Sequence, residues 1–226
     1  MTKTVERPSS AEPPSLPVTR TNGDLTKEKI LKAAEVLFGE NGFDMVSLRD
    51  ITGKADVTLA LASYHFNTKE NLFRQVISRR AKTLNTLRRQ RLAKLQEDND
   101  LTLRAILDAF MEPLFHQMRS SDEGWPSYVM LLSKLGQSNR WIEILRENFD
   151  ETATLFIGEL RRILPKASEE DLLRTFSLVL HLMLVGVSNN QRLDTLSNGN
   201  FRADDLDKTY DVLLRFAVAG MESIRN

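Results

Sequence analysis

The stretch SLRDITGKADVTLALASYHFNTKENLF, residues 47–73, decides the fold expected for this chain. It opens at Ser47 with a pattern resembling a capping box, which predicts the start of a short helix. The pair Asp56-Val57 interrupts that helix, and Thr58 begins a second helix of about two turns. Two short helices separated by a tight break predict a helix-turn-helix. In that motif the second helix enters the major groove of DNA and the first helix braces it across the backbone.

The second helix of this motif should bury one face and expose the other. We expect the inner positions to be Val57, Leu61, Ala62 and Phe66. The outer positions are then Thr58, Leu59, Ala60, Ser63 and Tyr64. The outer face is small and polar except for Leu59, whose side chain suits contact with a thymine methyl group. A different rotation of the helix, with Leu59 packed inward, is the alternative.

Two helix starts flank this outer face, and each favours an anion. The free N–H groups and the dipole at a helix N-terminus attract phosphate. Lysine in a first turn runs against the dipole, which makes sense if a phosphate lies there. We therefore expect DNA-backbone contacts from Ser47, Tyr64, His65, Thr68 and Lys69, and we expect Arg49 to bind DNA as well. For His65, a structural hydrogen bond to the backbone is an equally open alternative.

The same region resembles a known family. Residues 26–73 contain the patterns AAxxLFxxxGF and YHFxxKxxL in this order. Together they resemble the N-terminal DNA-binding domain of the TetR family of bacterial regulators. A narrower similarity is to the branch that includes fatty-acid-responsive repressors. Two positions depart from the family pattern: Asp56 stands where the family usually has glycine, and Ser63 stands where it often has an aromatic residue.

Composition divides the chain into three parts. Residues 1–23 hold four of the seven prolines and few large apolar residues, so we expect a disordered arm. Residues 24–73 should form the DNA-binding domain, and residues 74–226 a second domain. Residues 24–94 hold 14 basic and 8 acidic residues, whereas residues 95–226 hold 14 and 21. This asymmetry favours a polyanionic partner for the basic part, although chance clustering of solvated charges is the alternative.

Helical periodicity continues to the end of the chain. After a long helix from Thr68 to about Lys94, we expect further helices near residues 100–119, 125–137, 140–164, 169–194 and 204–224. The fold should therefore be all-α with about nine helices, and its N-terminal domain should be a three-helix helix-turn-helix domain. The family resemblance implies that the remaining helices form a C-terminal ligand-binding and dimerisation bundle.

Two of the C-terminal helices have the composition of an interface. The helix near residues 169–194 contains FSLVLHLMLVGV, which is apolar on nearly every side, and the last helix is also rich in apolar residues. Gly186 and Gly220 permit close approach of two backbones. We expect both helices to pair with their copies in a four-helix homodimer interface. Burial within one chain is the alternative.

Aromatic and methionine side chains concentrate in the middle helices, where we expect a site for an apolar ligand. The candidates are Phe110, Met111, Leu114, Phe115, Met118, Trp125, Tyr128, Trp141, Phe149 and Phe156. An ordinary core is the alternative for all of them. His181 is a polar candidate on an apolar helix, and it also fits a core histidine.

No motif in the chain indicates an enzyme. It has no cysteine, no GxSxG, no glycine-rich phosphate loop and no HExxH, so we expect neither catalysis nor a cofactor or metal site. The absence of a secretion signal and of a long apolar run favours a cytoplasmic protein that does not enter membranes. We expect a homodimeric repressor that an apolar small molecule releases from its double-stranded DNA operator. The alternative is a DNA-binding regulator controlled by a protein partner, or an activator, without a small-molecule pocket.

Overall fold

All regular structure in the described part of the chain is helical. The computed structural model describes residues 22–188 and 191–225, and it contains no strand in these ranges. The all-α fold class is therefore confirmed. The predicted N-terminal arm lies outside the described residues except for Asn22 and Gly23, which belong to the first helix.

The helices follow the expected order, with one addition. The DNA-binding end contains α1 (Asn22–Asn41), α2 (Leu48–Ala55), α3 (Leu59–Phe66) and α4 (Lys69–Glu97). The other end contains α5 (Leu103–Met118), α6 (Gly124–Gly136), α7 (Ile142–Leu145), α8 (Glu151–Ile163), α9 (Glu169–Gly186), α10 (Arg192–Leu196) and α11 (Leu206–Glu222). A 3-10 turn (Asn139–Trp141) precedes α7, and a π turn (Arg146–Asp150) joins α7 to α8.

The additional helix arises because α9 is shorter than expected. Counting α7 and α8 as one continuous helix, the described ranges hold ten helices rather than nine. The helix predicted to reach residue 194 ends at Gly186, and α10 forms separately. The Ser188 hydroxyl donates to the Val185 carbonyl at 2.8 Å. A serine bond of this kind competes with helical backbone bonding, which favours an end at this point.

The first helix supports both ends of the molecule. Its inner face buries Ile30, Ala34 and Phe38 in the core. On another side it crosses α6 so closely that a Cβ on Gly39 would lie 2.4 Å from the carbonyl oxygen of Ser127. Only glycine fits at this crossing, because any side chain would collide with backbone. The DNA-binding end is thus packed directly against α6.

The long helix α4 connects the two ends. Its first half buries Leu72, Phe73 and Ile77 beneath α1 and α3, and its second half buries Leu84 and Leu92 against α5 and α8. A displacement of α4 therefore affects the packing at both ends. Across residues 22–188 and 191–225, no helix has the length and apolarity needed to span a bilayer.

Candidate DNA-binding surface and effector cavity

A capping box begins α2, and a left-handed residue makes the turn between α2 and α3. Asp56 has φ 52° and ψ 55°, a left-handed conformation that costs free energy for a residue other than glycine. At the start of α2, the Ser47 Oγ accepts from the Asp50 N–H at 3.2 Å, and the Ser47 N–H donates to the Asp50 carboxylate at 2.8 Å. The capping box fixes the start of α2, and the left-handed Asp56 turns the chain into α3, whose Ala62 and Phe66 are buried.

The described geometry of α3 differs from the expected one at Leu61. Ala62 and Phe66 are buried as expected, but Leu61 is 39% exposed, about as much as Leu59 at 40%. On a helix with 3.6 residues per turn, Leu61 is rotated by about 100° from Ala62 and about 140° from Phe66, so it does not share their buried face. The prediction that Leu61 is an inner position was therefore wrong, and Leu61 is a candidate for the DNA face that the sequence reasoning missed.

Four of the residues expected on the outer face of α3, where DNA would bind, are exposed. They are Thr58, Leu59, Ala60 and Ser63. Thr58 is the N-cap of α3, yet its side chain makes no capping hydrogen bond. A threonine hydroxyl that does not cap its own helix remains able to donate to a base edge. The DNA-binding assignments of these residues remain predictions.

The residues expected to bind phosphate fall into two groups. Tyr64 is 83% exposed and meets the half-buried His65 ring edge to face, with 5.2 Å between ring centroids, and Arg49 is exposed. The hydroxyls of Ser47 and Thr68 have partners within their own helix starts. Ser47 donates to Asp50 at 2.7 Å, and these Ser47 contacts lower the pKa of the Asp50 carboxyl. The Thr68 Oγ1 accepts from the N–H of Asn71 at 3.1 Å.

The Lys69 side chain turns towards the protein, where its ammonium contacts the loop before α2. Its ammonium donates to the carbonyl oxygens of Phe43 and Val46, at 3.0 and 2.9 Å. It also lies 4.1 Å from the centroid of the Phe43 ring. Two of its three N–H groups therefore hold the loop before α2. The expected phosphate contact stays a prediction, and these bonds favour a structural role.

A cavity of about 280 Å³ lies in the C-terminal bundle. Four of the predicted ligand-binding residues line it, namely Phe110, Leu114, Phe149 and His181. The sequence reasoning missed the other lining residues, which are Leu84, Arg88, Leu132, Gly136, Ile142, Leu145, Asp150, Ala153, Ser177, Leu180, Met183 and Leu184. The walls are mostly aliphatic, and α4, α5, α6, α9 and the α7–α8 segment all contribute to them.

The remaining predicted ligand residues do not line this cavity. Met111, Phe115 and Phe156 are fully buried, and Met118 is partly buried against the same core. The Trp141 ring packs against Phe43 and Phe73 at the DNA-binding end, with centroids 4.9 and 4.8 Å away. These side chains follow the alternative that the sequence left open, which was an ordinary core.

Trp125 and Tyr128 instead belong to the junction between the two ends. The Arg80 guanidinium lies 4.7 Å from the Trp125 ring centroid. The Tyr128 hydroxyl donates to the carbonyl of Ile77 on α4 at 3.1 Å, and burial raises the pKa of that hydroxyl. Both aromatic residues of α6 therefore brace α4.

A buried ion-pair cluster completes this junction. Glu35 of α1 is 1% exposed, and its carboxylate accepts two bonds from Arg80 at 2.8 Å and one from Arg79 at 3.1 Å. Arg80 also pairs with Asp122, which lies just before α6. The bond from Arg80 holds the pKa of Asp122 at about 2. One arginine of α4 thus connects α1 to the start of α6.

An exposed second helix in a helix-turn-helix, joined to a separate helical bundle, defines a DNA-binding transcriptional regulator. Residues 30–76 match the family model described as bacterial regulatory proteins of the tetR family. Residues 108–220 match the model described as the tetracyclin repressor-like C-terminal domain. The chain belongs to the TetR family, whose members are transcription factors and not enzymes.

Comparison with individual proteins agrees with this assignment. The chain is 42% identical over 53 residues to a Bacillus subtilis (strain 168) protein named "Probable HTH-type transcriptional regulator YttP". That match covers 24% of this chain and 26% of the relative, so it concerns about a quarter of each. The crystal structure of HlyIIR, a hemolysin II transcriptional regulator, matches with a TM-score of 0.57 at 20% identity, over 85% of this chain and 99% of that one. A TetR-family regulator from Streptomyces coelicolor matches with a TM-score of 0.53 at 18% identity, over 88% of this chain and 99% of that one. At these identities the two structures show the fold alone.

Proposed function

We propose that this protein is a homodimeric repressor that binds operator DNA and is released by an apolar small molecule. The single observation that carries ligand control is the largely aliphatic cavity of about 280 Å³ enclosed by α4, α5, α6, α9 and the α7–α8 segment. Its volume is near the lower end of the range of small-molecule sites. A bundle without such a cavity would favour control by a protein partner instead.

The position of α4 supplies a route from this cavity to the DNA face. Leu84 and Arg88 of α4 form part of the cavity wall, while Arg80 of the same helix bonds to Glu35 of α1. A ligand that displaces α4 therefore also displaces the support of α3. In a dimer, two α3 helices must fit successive major grooves about 34–36 Å apart, so a small rotation is enough to lose both contacts.

We propose that Thr58, Leu59, Ala60 and Ser63 face base edges, because their side chains are exposed along α3. The DNA backbone on either side of α3 would then be contacted by the flanking residues, which are Ser47, Arg49, Tyr64, His65 and Thr68. Lys69 instead supports the loop before α2, because its ammonium donates hydrogen bonds to two carbonyls of that loop. A protein with this task works in the bacterial cytoplasm, where operator DNA is accessible.

Exposed apolar residues on α9 and α11 support a dimer through these helices. Leu178 and Val185 of α9 and Val212 and Phe216 of α11 are all exposed in the single chain. Large apolar side chains on two neighbouring helices are typical of an interface. A second copy of the chain would cover them in a four-helix arrangement.

The two glycines predicted for this interface have different surroundings. A Cβ on Gly186 would lie 3.3 Å from the Leu213 side chain, so Gly186 serves the packing of α9 on α11 within one chain. A Cβ on Gly220 would meet nothing within 4 Å. We therefore expect Gly220→Arg to fold and to lose the dimer, as judged by analytical ultracentrifugation. Gly158→Arg, at a helical glycine of α8 that is equally open, is the matched control and should stay dimeric. A wild-type chain that is monomeric at micromolar concentration would refute the proposal.

Operator binding with and without ligand tests ligand control. The operator is first selected by the purified protein from a random duplex library. Compounds that raise the melting temperature through mass action are then titrated into the protein–operator complex. We expect them to weaken operator binding by a coupling free energy of about 1–3 kcal/mol. If every compound that binds leaves operator affinity unchanged, ligand control is wrong and a protein partner becomes the better hypothesis.

A further inference from the structure

Arg88 is a buried guanidinium at the wall of the cavity. It is 3% exposed and projects from α4 between Phe110 and Met183. Its Nε donates to the Phe110 carbonyl at 2.8 Å, and its Nη2 lies 3.8 Å from the Met183 sulfur. The guanidinium carbon is 3.9 Å from the Phe110 ring centroid. Within residues 22–188 and 191–225, no carboxylate pairs with Arg88.

The absence of a carboxylate partner in this part of the chain is unusual for a buried arginine. Removing a cation from water costs several kcal/mol unless an opposite charge and hydrogen bonds compensate. Arg80, two turns earlier on the same helix, is also buried, and it has both Glu35 and Asp122 as partners. Burial lowers the pKa of Arg88 to about 9, so it remains protonated at neutral pH.

The donors of Arg88 are only partly used. A guanidinium has five N–H groups in a planar fork that matches the two oxygens of a carboxylate. The contacts to Phe110 and Met183 engage Nε and Nη2, and no described residue accepts from Nη1. The other polar lining residues do not supply an anion for it. His181 has its Nδ1 on the Ser177 carbonyl at 2.7 Å, and the exposed Asp150 forms no ion pair with Arg88.

We propose that Arg88 binds the carboxylate of an amphiphilic effector whose apolar body fills the aliphatic part of the cavity. This inference rests on the proposed function, because it names the chemical class of the effector. The apolar walls from Leu84, Leu114, Leu132 and Leu184 would surround the body of the molecule. With roughly 30 Å³ per small group, a cavity of about 280 Å³ accepts an effector of about ten heavy atoms.

A pair of probes that differ only in the head group tests this inference. Octanoate and octanol have the same chain length, and their dissociation constants are measured by titration calorimetry on the full-length protein. A charge-assisted hydrogen bond that is desolvated should favour octanoate by roughly 10- to 100-fold. Arg88→Met replaces the guanidinium with a long apolar side chain. This variant should bind octanol and lose the preference for octanoate.

Arg89→Met is the matched control. Arg89 is the next residue of α4, but its side chain does not line the cavity. Its guanidinium donates to the Thr152 hydroxyl at 3.0 Å. We expect this variant to keep the preference of the wild-type protein. Equal binding of octanoate and octanol by the wild type, binding of neither probe, or an unchanged preference in Arg88→Met would each overturn the inference. Even if Arg88→Met does not fold, equal binding of the two probes by the wild type would still overturn the inference.

Operator binding in the same titrations separates this inference from the proposed function. If octanoate is preferred through Arg88 but leaves operator affinity unchanged, the carboxylate site stands and ligand control fails. If both probes bind equally and both weaken operator binding, ligand control stands and the role of Arg88 fails. If octanoate is preferred and also weakens operator binding, the result supports both the carboxylate site and ligand control.

Discussion

Replacement of Lys69 by methionine separates two roles for this side chain, a contact to DNA phosphate and a support for the loop before α2. The lysine ammonium donates to the carbonyl oxygens of Phe43 and Val46 at 3.0 and 2.9 Å. A hydrogen bond from a charged donor contributes roughly 1.5–3 kcal/mol. The Lys69 side chain is only half-buried, so solvent reduces the contribution of each bond. We therefore expect Lys69→Met to lower the free energy of unfolding by about 2–3 kcal/mol.

Two measurements on Lys69→Met distinguish these roles. Urea unfolding followed by circular dichroism gives the free energy of unfolding, and it is compared at one protein concentration because a dimer is stabilised by mass action. Operator binding across a salt series counts phosphate contacts, because each lost contact lowers the slope by about 1. We expect lower stability with an unchanged salt slope. Lys82→Met, an exposed lysine of α4 whose side chain has no partner among residues 22–188 and 191–225, should change neither quantity. Unchanged stability with a slope lower by about 1 would refute the structural role and support the phosphate contact.

Three further substitutions test other contacts. Asp56 has a φ of 52°, so Asp56→Gly should raise the free energy of unfolding by about 0.5–1 kcal/mol in urea, and no gain would contradict the strain. Arg80 holds the pKa of Asp122 at about 2, below its usual value near 4, so this pair stabilises the protein above pH 4 and is lost as the pH falls to 2. The stability deficit of Asp122→Asn should therefore disappear across that interval in acid unfolding, and a constant deficit would refute the linkage. Leu59→Ala should keep the fold and relax base preference at one operator position by about 1 kcal/mol, whereas unfolding by circular dichroism would mean that Leu59 is core.

The helix-turn-helix could be predicted because its signals are local. The cap at Ser47, the break at Asp56 and the cap at Thr68 each act within a few residues, and all three occur in the structure. The rotation of α3 could not be predicted to one position. Its eight residues include apolar side chains at Leu59, Leu61 and several other positions, so no single face is marked by hydrophobicity. The exposure of Leu61 depends on how α3 meets α1 and α4, which is a tertiary property.

The cavity was also hard to predict from the sequence, because it too depends on tertiary packing. Composition indicated which helices are rich in large apolar side chains, but the packing of five segments determines which of those side chains face a common space. Trp141 packs near Phe43, about a hundred residues earlier in the chain, and no local pattern indicates that contact. Arg88 belongs to a basic run, LRRQR, that is typical of a solvated helix face. Its burial follows from α5 and α9, which cover it in the folded chain.

Under the two proposals above, the two buried arginines of α4 would link the binding of a charged effector to the DNA-binding end. Arg80 and Arg88 are eight residues apart, which is about 12 Å along a helix. Arg80 forms ion pairs with Glu35 of α1 and with Asp122 before α6, so this part of α4 is fixed to the DNA-binding end. Arg88 has no such partner among the described residues, although its neighbours on α4 bond to other elements, as Asn85 does to the Asn148 carbonyl at 2.6 Å. A bound carboxylate would supply the missing partner and would favour the arrangement of α4 that best pairs with it. Because α1 is bonded to the same helix through Arg80 and also contacts α3, a shift of α4 would also change the support of α3. An uncharged ligand of the same size would fill the cavity without this bias, so it should stabilise the protein more than it weakens operator binding.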